Sequence, residues 1–380
     1  MSEHSQRLER LRALMQEHGM QAVLLGTGAN LAYFSGYPSP SRSVPRPFFV
    51  LLPLAGDPVF FTHTGHAAEA RRFSWISDIR DYQPLATVPV DLIKEALAEK
   101  GLLNATIGME LGAEQAFDYS YLQFIRLRDA LPGLTLSDAA PLLWALRMVK
   151  SPWEISCIRQ ACDTTSEAYR ATFRSARAGM PERDVYLAMK DYLVQHSDGT
   201  IFLAITSGSG NYDLVTKPPE NRPLVSGDLV WMDAGCTVNG YWSDYSRAGI
   251  VGPPSDEQRC AQDAIHRITN QAVAMVRPGV RASWIWQFCL KELEALFFPI
   301  TSSITQLAAR VGHGLGLDMT EPPHLGPHDQ TLLQEGMVIT IEPGVATTYG
   351  TFHVEENVLI TKDGAELLSR SPRNLQPIAL

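Results

Sequence analysis

The chain has 380 residues, 45% of them hydrophobic and 19% charged, the balance of an ordinary globular protein with room for about two domains. A formal net charge of −9 argues against a surface built for nucleic acid or anionic lipid, and no apolar run reaches the length of a membrane span. The opening "MSEHSQRLERLRALMQEHGM" lacks the apolar core of a signal peptide. Five cysteines (Cys157, Cys162, Cys236, Cys260 and Cys289) form no CxxC and read as small core residues of a reduced cytoplasmic protein.

That opening segment is instead an amphipathic helix with Leu8, Leu11, Leu14 and Met15 on one side. "QAVLLGT", "FFVLLPLAGDPVFFTH" and "ATIGMEL" read as strands, the second as a hairpin turning at Gly56-Asp57. "VDLIKEALAEKG" and "DYSYLQFIRLRDAL" read as helices, so the first part is an α/β domain, with no phosphate-cradling glycine loop. The Pro/Ser-rich stretch "GYPSPSRSVPRP", 36–47, is a surface loop or a reach into a binding cleft.

Around "RMVKSPWE" the pattern changes, which divides the chain into domains 1–147 and 148–380. Ser151, Pro152 and Glu154 fit the N-cap, first and third positions of a capping box, opening a long helix that stops near Gly179. A second helix follows in "PERDVYLAMKDYLVQ". Ser255 and Gln258 open another long helix that runs to Gly279, followed by "ASWIWQFCLKELEALF". The same helix–Gly–helix unit therefore occurs twice, 100 residues apart, as if two related halves built this domain.

Between these units lies "WMDAGCTVNGYWSDYSR", 231–247. Asn239-Gly240 between β-formers specifies a two-residue type I′ hairpin. Val238 then pairs with Tyr241, Gly235 with Asp244, and Asp233 with Ser246, all four of the latter on one face. Asp233 and Asp244 become diagonal neighbours roughly 7–8 Å apart at the backbone. Two buried carboxylates so placed need a cation, a shared proton or an arginine between them. Further on, "VGHGLGLD" holds His313 between glycines, "VITIEPG" ends a strand at Glu342, and "FHVEENVLIT" sets Glu355 before another. Four carboxylates and one imidazole balance two divalent ions, and oxygen-rich ligation suits Mn²⁺, Co²⁺, Zn²⁺ or Fe²⁺.

These segments resemble the pita-bread metallopeptidases of family M24. The family's D-x-G…G-Y-x-S-D-x-[ST]-R matches "DAGCTVNGYWSDYSR", GHG[IL]G matches "GHGLG", [IVT]-x-EPG matches "TIEPG", and E-[DE]-x-V-L-[VI]-T matches "EENVLIT". The resemblance implies an α+β pita-bread catalytic domain with an internal pseudo-two-fold repeat, behind an α/β domain like that of prolidase, aminopeptidase P and creatinase. It implies Asp233, Asp244, His313, Glu342 and Glu355 as ligands of two metal ions, Mn²⁺ favoured, with Asp244 and Glu355 contacting both. A hydroxide held by the metals would attack an Xaa-Pro peptide carbonyl, Glu342 would relay the proton, and the assembly would be a homodimer.

The chain departs from the family pattern around the metals. Thr320 stands where the family has the His of H-E-x-P, and Thr216, or Lys217 with a one-residue slip, replaces a second histidine. His353 takes the place of an arginine. His324, His328 and Lys217 are the candidate replacements for the lost donors, each set against the favoured alternative of an ordinary surface-loop residue. A small non-peptide C–N substrate, by hydrolysis or lysis, and a non-catalytic binding module are therefore the alternatives to an Xaa-Pro peptidase.

Overall fold

In the computed structural model, which describes residues 3–26, 28–38, 47–116 and 118–380, the first element is the expected helix, Glu3–Glu17. It buries Leu8, Leu11 and Met15, while Leu14 is half-buried. Arg7 is also buried, its guanidinium donating to the Tyr33 carbonyl at 2.8 Å while its stem extends the apolar stripe. The predicted strands form at Ala22–Leu25, Phe49–Pro53, Val59–His63 and Thr106–Met109, and Gly56 at φ 89° makes the hairpin turn. They lie within a six-stranded sheet whose outer strands, Asp78–Tyr82 and Thr135–Asp138, are polar and half-exposed, so hydrophobic patterning does not reveal them. Helices Val90–Glu99 and Tyr121–Ala130 cover a core of Phe49, Phe61, Ile93, Leu97, Ile107 and Leu127. The chain divides into two compact units, Met1–Arg147 and Met148–Leu380. Most of the Pro/Ser-rich stretch, residues 39–46, lies outside the described residues.

The second unit opens with helix Pro152–Ser175, and Ser151 and Glu154 form the reciprocal capping box. Ile158, Ala161, Cys162, Thr165, Ala168, Tyr169, Thr172 and Phe173 form its buried face at helical spacing. Ser255 and Gln258 form the same box on helix Asp256–Met275. Both helices end four residues ahead of the glycines expected to stop them. The chain turns extended at Ala176 and Val276, and Gly179 and Gly279, at φ 83° and 86°, serve the reversal into the next helix. Those partners run Glu182–His196 and Ala282–Glu294.

Each helix pair has its own sheet. The first sheet runs Gln376–Ile378, Tyr245–Val251, Leu229–Val238, Ile201–Ser207, and its core includes Tyr169, Met189 and Met232. The second runs Glu321–His324, His313–Gly314, Val338–Ile341, Glu356–Ile360, Ala365–Leu367, and packs with Ile265, Ile285, Ile339 and Val358. Gly344–Thr347 and Gly350–His353 form a small third sheet with Ser302–Ser303. This is the pita-bread arrangement, with two halves of helix pair plus sheet. Among the described residues no helix is long and apolar enough to cross a membrane.

Candidate metal centre

The Asn-Gly hairpin forms in the predicted register. Asn239 and Gly240 take φ 52° and 80°, Val238 pairs with Tyr241, Ala234 with Tyr245, and Asp233 with Ser246. The ladder is interrupted at Ser243-Asp244, where the Ser243 N–H donates to Cys236 at 2.9 Å. Gly235 is required there because any Cβ would collide with the Ser243 carbonyl. Asn357 clasps the neighbouring Asp244 backbone: its Oδ1 accepts from the Asp244 N–H at 3.0 Å and its Nδ2 donates to the Asp244 carbonyl.

The second half delivers the other three side chains. A Cβ at Gly312 would strike the Thr340 carbonyl and one at Gly314 that of Pro322, so only glycines let His313 thread between its neighbouring strands. The His313 Nδ1–H donates to the Gly314 carbonyl at 2.9 Å, which leaves Nε2 as a lone pair facing the acids. That nitrogen stands 3.6 Å from Asp244 Oδ2 and 3.9 Å from Glu342 Oε1. Glu342 follows Val338–Ile341 and Glu355 precedes Glu356–Ile360. Ile341 pairs with Glu356, so the two acids flank adjacent strand ends. Arg247 fixes this corner, donating to the Glu355 carbonyl at 2.7 Å and to Glu356 Oε1 at 3.0 Å.

The resulting electrostatics are unfavourable for protein alone. Asp233 Oδ1, Asp244 Oδ1, Glu342 Oε1 and both oxygens of Glu355 are buried with no hydrogen-bond donor. Burial first, then the neighbouring carboxylates, raise the pKa of Asp244 and Glu355 well above the usual range. Burial raises Asp233 to about 6 and Glu342 to about 8. His313 is driven down to about 3 by burial and then by Arg310, so it is neutral and basic at Nε2. Acceptors without donors, around a neutral imidazole, are a donor set that fits divalent cations. Asp244, His313 and Glu355 offer ligand atoms within 4.8 Å of one another, and so do Glu342, His353 and Glu355. Glu355 is common to the two groups and Asp233 belongs to neither, and both ring nitrogens of His353 already face Ser246 and the Glu342 carbonyl.

The residues expected to read substrate are dispersed. His353 is buried beside the cluster, its Nε2–H donating to the Glu342 carbonyl at 2.9 Å and its Nδ1 3.0 Å from Ser246 Oγ. Burial lowers its pKa to about 4, so it brings no positive charge where the family pattern has arginine. Gly344 makes room for that ring, since a Cβ there would strike it. Lys217 is held away by structure: its ammonium pairs with the buried Glu182 at 2.5 Å. Thr216 is exposed in the same loop, and His328 is exposed on a turn. Thr320 is half-buried immediately before strand Glu321–His324, which pairs with the His313 strand. His324 lies directly opposite His313 in that pairing. Sequence reasoning missed Arg310, whose Nε lies 3.7 Å from Glu342 Oε1 and whose terminal nitrogen lies 3.4 Å from His324 Nδ1. The one hint was its place three residues ahead of His313 in "ARVGHG".

Comparison with known proteins agrees with this geometry. A Creatinase/Prolidase N-terminal domain model matches residues 7–149, and the metallopeptidase family M24 model matches residues 156–362. An Xaa-Pro dipeptidase of Pyrococcus furiosus is 28% identical over 97% of this chain and 99% of its own length. The crystal structure of a dipeptidase from Pyrococcus horikoshii superposes with a TM-score of 0.85 at 24% identity, over 98% of this chain and 100% of that one. A dipeptidase from Mycobacterium ulcerans gives 0.82 at 25% identity, over 100% and 98%. With the M24 model spanning more than half of its length, the chain belongs to metallopeptidase family M24.

Proposed function

We propose that this protein is an Xaa-Pro dipeptidase whose two divalent ions would be held by Asp233, Asp244, His313, Glu342 and Glu355. The observation that carries the reading is the set of buried carboxylate oxygens without donors around a neutral His313. Full-length similarity to the Pyrococcus dipeptidase supports the substrate class. Four carboxylates with a single imidazole favour a hard cation, Mn²⁺ first. When bound, the ions supply the charge that polarises a scissile carbonyl and acidifies a water molecule. The chain's own residues do the rest. The Gly314 carbonyl fixes the His313 tautomer, and the Asn357 clasp and the Arg247 contact hold the backbone of Asp244 and Glu355. Glu342 is more exposed than Asp244, its side chain 15% accessible against 6%, and would hold the transferred proton on its way to the leaving nitrogen. Five free cysteines, four of them buried, support a cytoplasmic setting, and a homodimer is the working assembly.

Metal analysis together with Ala-Pro hydrolysis tests this reading. Two bound ions and Mn²⁺-dependent turnover that Asp244→Asn abolishes are expected. Two ions with no turnover of any Xaa-Pro peptide would instead favour the second reading, a small non-peptide C–N substrate. The absence of charged donors at Thr216 and Thr320 motivates that alternative, since losing such a donor costs ~10²–10³ in rate when nothing replaces it.

A further inference from the structure

We propose that Lys150 is a positioning residue for the metal centre, which through the buried Glu321 sets the distance between the Asp244 hairpin and the His313 loop; this rests on the two-ion reading above. The Lys150 ammonium donates to Glu321 Oε2 at 3.2 Å, and each side chain is only 1% accessible. Taking both charges out of water is costly, so such a pair adds little stability over apolar residues of similar volume. What it adds is a fixed geometry. The Glu321 carboxylate is the point about which the His313 loop turns: Oε1 accepts the Asp318 N–H at 3.1 Å, and a Cβ at Gly316 would lie 2.6 Å from Oε2. In the strand pairing Gly314 stands opposite Glu321 and His313 opposite His324.

That turn reaches the other half. The Trp242 N–H, two residues before Asp244, donates to the Gly316 carbonyl at 2.9 Å. The helix start beside Lys150 holds the same hairpin, since Glu154 of the capping box accepts from the Tyr241 hydroxyl at 2.7 Å. The Lys150 N–H donates to the Gly336 carbonyl at 2.9 Å, just ahead of the strand Val338–Ile341 that leads to Glu342. Between Lys150 and Glu154 the chain therefore takes hold of the segments that carry Asp244, His313 and Glu342. An apolar residue at 150 would leave a buried carboxylate without its partner and the turn built on it free to shift, carrying His313 away from Asp244.

The test separates positioning from stability. Wild type, Lys150→Met, the double variant Lys150→Met/Glu321→Gln and Lys217→Met are stripped of metal. Mn²⁺ binding is then measured by calorimetry, beside the visible absorption of the Co²⁺-loaded proteins. Lys217→Met is the control, because it strands Glu182 in a different buried pair. Lys150→Met should bind Mn²⁺ about 10- to 100-fold more weakly, the range for groups that orient metal ligands, and should shift the Co²⁺ bands. The double variant strands no charge, so it keeps the test open where the single variant fails to fold. Its affinity should fall in the same range, because a neutral amide facing methionine holds the turn less firmly. Lys217→Met should bind within about twofold of wild type. Wild-type affinity and Co²⁺ bands in a folded Lys150→Met or in the double variant, or an equal loss in Lys217→Met, would overturn the assignment. If wild type takes up no ion, the two-ion reading fails and this assignment with it. If it takes up ions and cleaves no Xaa-Pro peptide, only the peptidase label falls, and the affinities still decide the role of Lys150.

Discussion

Removing the metals should make the fold sensitive to alkaline pH in a window where the loaded enzyme is indifferent. Asp233 and Glu342 are raised by burial from 3.8 to about 6 and from 4.5 to about 8. A carboxyl with a raised folded pKa binds more protons folded than unfolded between those two values, so stability falls as pH rises through that range. His313 and His353, lowered from 6.5 to about 3 and about 4, act in the opposite direction, since charging them in acid favours the unfolded chain. Half of each unfolded histidine is still charged at pH 6.5, so from pH 6.5 to 9, the informative interval, the two give back about 0.8 kcal/mol against the carboxyls. There Asp233 has finished titrating and Glu342 has about 1.5 pH units left, worth ~2 kcal/mol at ~1.4 kcal/mol per unit. Asp244 and Glu355 add to this in the same direction. Net of the histidines, Glu342 alone leaves about 1 kcal/mol, a fall in Tm of about 2–4 °C for a unit of this size. Chelator-treated protein is melted at pH 6.5 and pH 9, beside protein reloaded with Mn²⁺. A metal-free Tm that is flat or rising over this interval would refute the electrostatic account of the site.

Asp244→Asn should lose at least one ion by elemental analysis and drop kcat by ~10³ or more, while retaining the far-ultraviolet circular dichroism of the wild type. Gly235→Ala should do comparable damage without touching a ligand, because its Cβ forces Ser243 and the adjoining Asp244 to move; metal affinity is the readout. Lys217→Met should lower stability in urea by about 3 kcal/mol by stranding Glu182, yet leave KM for Ala-Pro within about twofold. A large KM change there would put Lys217 back at the substrate. Ser255→Ala should cost about 1 kcal/mol through its capping box and leave kcat unchanged.

Features encoded over a few adjacent residues were readable in the sequence. Asn239-Gly240 fixes the hairpin register by demanding two positive φ angles, and Ser151/Glu154 and Ser255/Gln258 fix helix starts through reciprocal bonds three residues apart. The candidate ligands stood out because four of them sit in short motifs with sterically compelled glycines, as at Gly235, Gly312, Gly314 and Gly344, whereas the motif of Glu355 has none. What escaped depends on partners distant in the chain or on backbone conformation. Nothing near Lys217 announces Glu182, and nothing near Lys150 announces the buried Glu321 that it pairs with at 3.2 Å. Arg310 was missed because its aim comes from a left-handed alanine, a conformation that residue type argues against. The polar edge strands of the first unit escaped because hydrophobic alternation is their only local signal and they lack it.

The five proposed ligands come from two halves of the second unit, the hairpin from one and His313, Glu342 and Glu355 from the other. No single helix pair with its sheet holds a complete set, so an ion meets these side chains together only after both halves have closed. Ion selection is therefore made by a finished protein with fixed spacing, rather than by a nascent chain that would favour whichever metal grips loose carboxylates most tightly. Once seated, the ions act as a clasp across the seam between the halves, and a slow exchange of metal would report how often that seam opens.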